Sequence, residues 1–141
     1  MSSEANKAII DHFNVELNKG NLSAVDELFA PDFVGHSQFS PEPIRGPEGY
    51  KAMLAMFGAA MPDLQYPSWT LIGDGELVAI HMSAEGTFTN ALMGIPPNGK
   101  KVVVWMANIW RFADGKIVEW WVEMDRLWMA EQLGFELKPK G

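Results

Sequence analysis

From residue 3 to residue 18 the apolar positions Ala5, Ile9, Phe13 and Leu17 recur every four residues, with Ala8, Ile10 and Val15 widening the stripe and Gly20 following as a stop. That spacing predicts an amphipathic helix. Asn21 stands where a cap is needed for a shorter second helix, whose apolar side is Leu22, Val25, Leu28 and Phe29 and which Pro31 ends. The two form a helical hairpin. Prolines and glycines around Phe33, Val34 and Phe39 read as a short strand and an irregular loop. A third helix follows, with Pro47 at its first position and Tyr50, Met53, Leu54, Phe57 and Met61 at helical spacing until Pro62.

Beyond Pro62 the period changes. Trp, Val, Ile and Thr become frequent, and the turns Gly73-Asp74-Gly75 and Asp114-Gly115 separate the runs, predicting strands at 65–72, 76–89, 101–112 and 116–124. Residues 90–100 form a loop and 126–133 a final short helix. Helices first and a strand meander afterwards predict an α+β domain with helices on one face of a curved antiparallel sheet. One domain is expected over residues 1–135, with 136–141 frayed.

If Asp114-Gly115 is a two-residue hairpin loop, counting outward pairs Trp110 with Glu119, Asn108 with Trp121, Met106 with Glu123 and Val104 with Asp125 on one face. The other face then holds Ile109 with Trp120, Ala107 with Val122 and Trp105 with Met124. Neither side is plainly polar, so both are expected to be covered. Helices cover one; the face of Trp105, Ile109, Trp120 and Val122 predicts a homodimer. The Asn108, Glu119, Glu123 and Asp125 side is either the wet one or a furnished interior, and the pattern leaves that open.

Composition narrows the chemistry. The 141 residues carry a net charge of -7, with 18 acidic against 11 basic residues, so neither nucleic acid nor an anionic membrane is an expected partner. With no cysteine there is no disulfide, thiolate site or cysteine nucleophile. The first residues have no signal-peptide pattern and no apolar run reaches bilayer length, which predicts a soluble, cytoplasmic protein. His12, His36 and His81 are too scattered for a metal site, and neither a nucleophile elbow nor a phosphate-binding glycine loop occurs. His12 lies beside the first helix's apolar stripe, as a boundary residue would. The nine methionines read as an adaptable core.

The run from Asn108 through Trp110, Asp114-Gly115-Lys116, Glu119-Trp120-Trp121, Glu123 and Asp125 to Gln132-Leu133-Gly134 resembles the C-terminal signature of the SnoaL-like polyketide cyclases. So do Gly86-Thr87-Phe88-Thr89 with residues 93–99, and Asp32-Phe33-Val34-Gly35-His36. The resemblance spans nearly the full chain. It implies the fold of the nuclear-transport-factor-2-like superfamily: a cone-shaped barrel of a highly curved antiparallel sheet, three N-terminal helices on its concave face, and a short C-terminal helix. It also turns the Asn108, Trp121 and Asp125 face inward.

The activity implied is an intramolecular aldol closure of an apolar, carbonyl-containing polyketide ester, without metal or organic cofactor, in which Asp125 is the general acid/base. Trp121, Trp110 and Met106 around that carboxyl would raise its pKa toward the working pH. Asp125 also suits the N-cap of the last helix, and the two roles are compatible. His36 matches the family's histidine at the pocket mouth, either sharing a proton with Asp125 or bonded to loop backbone. Asn108, Glu123, His81, Phe57 and Phe13 complete the expected substrate contacts, although the direction of His81 depends on an unbroken register. The chain departs from the family at Trp120, Val122 and Phe88, where histidine, aspartate and histidine are common. A non-catalytic binding or dimerisation module, and an isomerase or hydratase using the same pocket, are the alternatives.

Overall fold

The computed structural model describes residues 2–141. Helix α1 (Ser3–Asn18) starts where Ser2 Oγ accepts from the Ala5 N–H, and buries Asn6, Ile10, Phe13 and Asn14 along one stripe. Helix α2 (Ser23–Leu28) runs directly into strand β1 (Phe29–His36), followed by the short β2 (Ile44–Arg45) and helix α3 (Gly46–Ala60) with proline in its first turn. Strands β3 (Gln65–Asp74), β4 (Leu77–Thr87), β5 (Lys101–Ala113) and β6 (Lys116–Met124) make the expected meander, and helix α4 (Arg126–Gln132) follows.

The sheet order is β2-β1-β6-β5-β4-β3, with β2 and β3 as free edges. It is mixed, because β1 pairs parallel to β6 while every other pairing is antiparallel. Helix α1 packs on β3 and β4, α3 on β1 and β2, and α4 on β5. Beneath them Phe13, Phe29, Phe33, Tyr50, Trp110 and Trp120 form one aromatic cluster, with neighbouring ring centroids 4.6 to 6.2 Å apart. A second cluster, built around Phe88, Leu92, Val102 and Leu133, closes the other end, and Met106 and Met124 touch both.

Three local expectations change. Asn21 does not cap α2: its carboxamide donates to Glu16 Oε2 at 2.8 Å, and the N-cap position is Leu22. Pro31 is inside β1 rather than at a helix end; it lacks a ladder N–H, and the β1–β6 register shifts between Phe29 and Val34. The third change is the largest. The Asp114-Gly115 turn is present, with both residues at positive φ, and Phe112 pairs with Ile117 as counted. A bulge then inserts Val118, so that Arg111 pairs with Glu119 and Trp110 with Trp120. One extra residue turns all of β6 beyond it over. Trp120, Val122 and Met124 face the helices, while Glu119, Trp121 and Glu123 face away.

Candidate functional site

Between the concave face of the sheet and helices α1, α3 and α4 lies a cavity of about 100 Å³. Its floor is the inward row of β5 and β6, Val104, Met106, Asn108, Trp110, Trp120 and Val122. Leu17 from α1, Met53 and Phe57 from α3 and Met129 from α4 supply walls. Six methionines (Met53, Met61, Met82, Met106, Met124, Met129) line it. Their unbranched, polarizable chains reshape at low cost. That matters, since roughly 150 Å³ is the size of cavity known to take up benzene; larger guests need these side chains to move.

Among the described residues no aspartate, glutamate, histidine, lysine or arginine lines this space. Its polar groups are neutral. Asn108, 3% exposed on β5, accepts from Trp120 Nε1 at 3.0 Å and donates through Nδ2 to Met82 Sδ at 3.2 Å. A thioether is a weak acceptor, so the amide keeps donor capacity toward the cavity. Burial pushes the Tyr50 hydroxyl well above its ordinary pKa and that of Tyr66 up to about 12, so both are O–H donors at neutral pH. Asn14, also 3% exposed, reaches the cavity from α1, and its Nδ2 has no hydrogen-bond partner among the described residues. An unsatisfied buried donor costs roughly 1–3 kcal/mol.

Trp120 owes its position to Gly35. A Cβ there would stand 2.9 Å from the indole Cε3, so the bare backbone of β1 lets the ring lie flat over it, stacked on Trp110 at 5.6 Å and 27°.

A second concavity, about 230 Å³ and open to solvent, lies beside β1 and β6 and is lined by His36, the 37–43 loop, Trp121 and Glu123. His36 Nε2 is 2.8 Å from Glu119 Oε2, and its ring stacks on Trp121 at 5.6 Å. Arg111 bonds the other Glu119 oxygen at 3.1 and 3.0 Å. Burial raises the Glu119 pKa, but hydrogen bonds from His36 and Arg111 outweigh it and hold the carboxyl below its usual range. Glu123 accepts from Gln38 Nε2 at 3.0 Å.

The expected site residues therefore separate. Asn108, Trp110, Met106 and Phe57 line the interior cavity. Phe13 packs behind it in the aromatic cluster. His36, Trp121 and Glu123 gather at the outer cleft, the last two because of the bulge at Val118. His81 points outward and stacks on Trp105 at 5.1 Å and 15°. Asp125, expected beside Trp121 on the inner wall, lies past the end of β6, exposed, with Oδ1 accepting from Trp128 N at 2.9 Å as the N-cap of α4. Trp120 and Val122, expected on the outer face, are buried against the helices. Asn14, Tyr66, Met82 and Trp120 escaped the sequence reading. Asn14 had a visible signal, a polar residue on the apolar stripe one turn after Ile10.

Among the described residues no group of three or more His, Cys, Asp and Glu is placed to hold a metal ion, and no helix is long and apolar enough to cross a membrane.

Residues 8–133 match the model of the SnoaL-like polyketide cyclases. Among solved structures, IdmH of Streptomyces antibioticus, a candidate polyketide cyclase, is 33% identical with a TM-score of 0.76, over 91% of this chain and 97% of its own. A candidate polyketide cyclase of Acidithiobacillus ferrooxidans is 28% identical with a TM-score of 0.80, over 94% and 97%. AclR of Streptomyces galilaeus, a candidate hydroxylase, is 25% identical with a TM-score of 0.83, over 94% and 98%. No curated protein sequence matches the chain.

Proposed function

The chain belongs to the SnoaL-like polyketide cyclase family, and on that premise we propose that it closes a ring in an apolar, carbonyl-bearing polyketide held in the interior cavity. The observation that carries this reading is the Asn108–Trp120 hydrogen bond at the floor of an otherwise apolar, methionine-rich chamber. Such a chamber favours a folded apolar guest over an extended one in water, and brings its reacting carbons toward the roughly 3–3.5 Å at which bonds form. The Asn108 amide and the neutral Tyr50 and Tyr66 hydroxyls donate to carbonyl oxygen. They thereby stabilise the enol form, in which a methylene proton has moved to oxygen. In an aldol closure the enol carbon bonds the second carbonyl carbon, and the proton passes to that carbonyl's oxygen.

Asp125 as acid/base is the second reading. Its support is position: Met124 before it and Met129 after it both line the cavity.

One pair of variants separates the two. With a synthetic polyketide ester carrying an active methylene and a ketone, ring closure is followed by absorbance. Asn108→Leu is expected to lower kcat about a hundredfold, in the range seen when one oxyanion donor is lost. Asp125→Asn retains the N-cap, which Asn fills as well as Asp, and is expected to stay within about threefold of wild type. Full activity in Asn108→Leu refutes the amide's role, whereas a collapse confined to Asp125→Asn assigns the proton to that carboxylate.

The protein is further proposed to act as a homodimer through the outer sheet face. Trp105, Ile109 and Ile72 are 48%, 43% and 68% exposed there, and Ala107 and Trp121 lie on the same face. An apolar sheet surface of this kind marks an interface.

A further inference from the structure

We infer that Asn14 reads a hydrogen-bond acceptor, a ketone or ester oxygen, on the guest of the interior cavity. The inference rests on the cavity reading above and adds a second anchor, on a different element from Asn108. Helix α1 buries two asparagines on one stripe, Asn6 at 1% and Asn14 at 3% exposure, and each keeps one amide atom without a partner among the described residues: Asn6 Oδ1 and Asn14 Nδ2. Only Asn14 lines the cavity. The other α1 and α3 residues that line it include Leu17, Met53 and Leu54, all apolar. A buried donor without a protein partner is costly, and an acceptor on a guest removes that cost. The other polar groups in the chamber point to the same chemistry. Asn108 Nδ2 and the neutral hydroxyls of Tyr50 and Tyr66 are donors, and no charged side chain lines the wall among the described residues. The guest selected is therefore neutral and rich in carbonyl oxygen, with one oxygen directed at α1 and another at β5.

The test uses acetophenone and isopropylbenzene, which share size and branching and differ by a ketone oxygen against a methyl group. Dissociation constants are measured by NMR titration of the full chain, with the Asn14 side-chain amide resonance followed. Asn14→Leu is expected to weaken acetophenone about tenfold and leave isopropylbenzene within about twofold, as loss of one hydrogen bond requires. The same variant, relieved of an unsatisfied donor, is expected to melt about 3 °C higher without ligand. Asn6→Leu serves as the control: it removes a buried asparagine from the same helix at a position that does not line the cavity, and should leave the preference between the two probes unchanged. An unchanged preference in Asn14→Leu overturns the inference while leaving the cavity reading standing. An equal loss of preference in Asn6→Leu also overturns it, by showing a general effect of the helix. Failure of the wild type to bind either probe overturns the cavity reading and this inference with it.

Discussion

Gly35 and Val118 decide what the cavity contains. Gly35 leaves room for the Trp120 ring, and Val118 is the extra residue that turns Trp120 inward. Gly35→Ala sets a methyl 2.9 Å from the indole and 3.3 Å from Phe33, so the ring must move. The variant is expected to lose roughly 1–3 kcal/mol in urea unfolding, the usual cost of overpacking, and to shift the tryptophan emission. Stability equal to wild type would show that the indole has slack. At this scale the sequence was legible for side-chain type and blind to direction. Asn108, Met106 and Trp110 share one face as counted, because β5 alternates without interruption up to its turn; that this face is the interior followed from the family resemblance and not from the pattern. The same counting misplaces Trp121, Glu123 and Asp125, because a bulge has no local signature when every nearby residue suits a strand.

Among the elements, α4 does more than end the chain. After Met124 the chain leaves the sheet, and β5 is without its β6 neighbour over its first residues. Gln132 replaces it: its side chain accepts from Val103 N at 2.7 Å and donates to Val103 O at 2.8 Å, as a paired strand residue would. Leu133, alongside, closes the second core cluster and lines the cavity. Gln132→Leu leaves both backbone groups unpaired and is expected to cost about 2 kcal/mol. In hydrogen exchange the Val103 amide should lose protection well before β4 does, and retained protection would contradict the clamp. Helices α1 and α3 and the four strands of the meander were legible from period and turn residues. The parallel pairing of β1 with β6 was not, since it joins segments about ninety residues apart and depends on no local pattern.

For the molecule as a whole, the two faces of the sheet divide the work. The concave face holds a neutral, donor-furnished chamber. The convex face carries Trp105 and Ile109 together with the hydrogen-bonded chain His36–Glu119–Arg111. On the dimer reading the wild type sediments as a dimer at micromolar concentration. Ile109→Lys, which sets a charge in the middle of the proposed contact, yields a folded monomer; a wild type that sediments as a monomer would refute it. The acidity of the chain, with 18 acidic residues, belongs to the outside, because no carboxylate lines the chamber among the described residues. On the proposed function, guests enter this chamber and not the outer cleft. Nuclear Overhauser contacts between acetophenone and protein labelled in its methionine methyl groups and aromatic rings test it directly. Contacts are expected to Met82, Met106 and Met124 and to the Trp120 ring; contacts to His36 and Trp121 with none to these methionines would place the guest in the outer cleft instead.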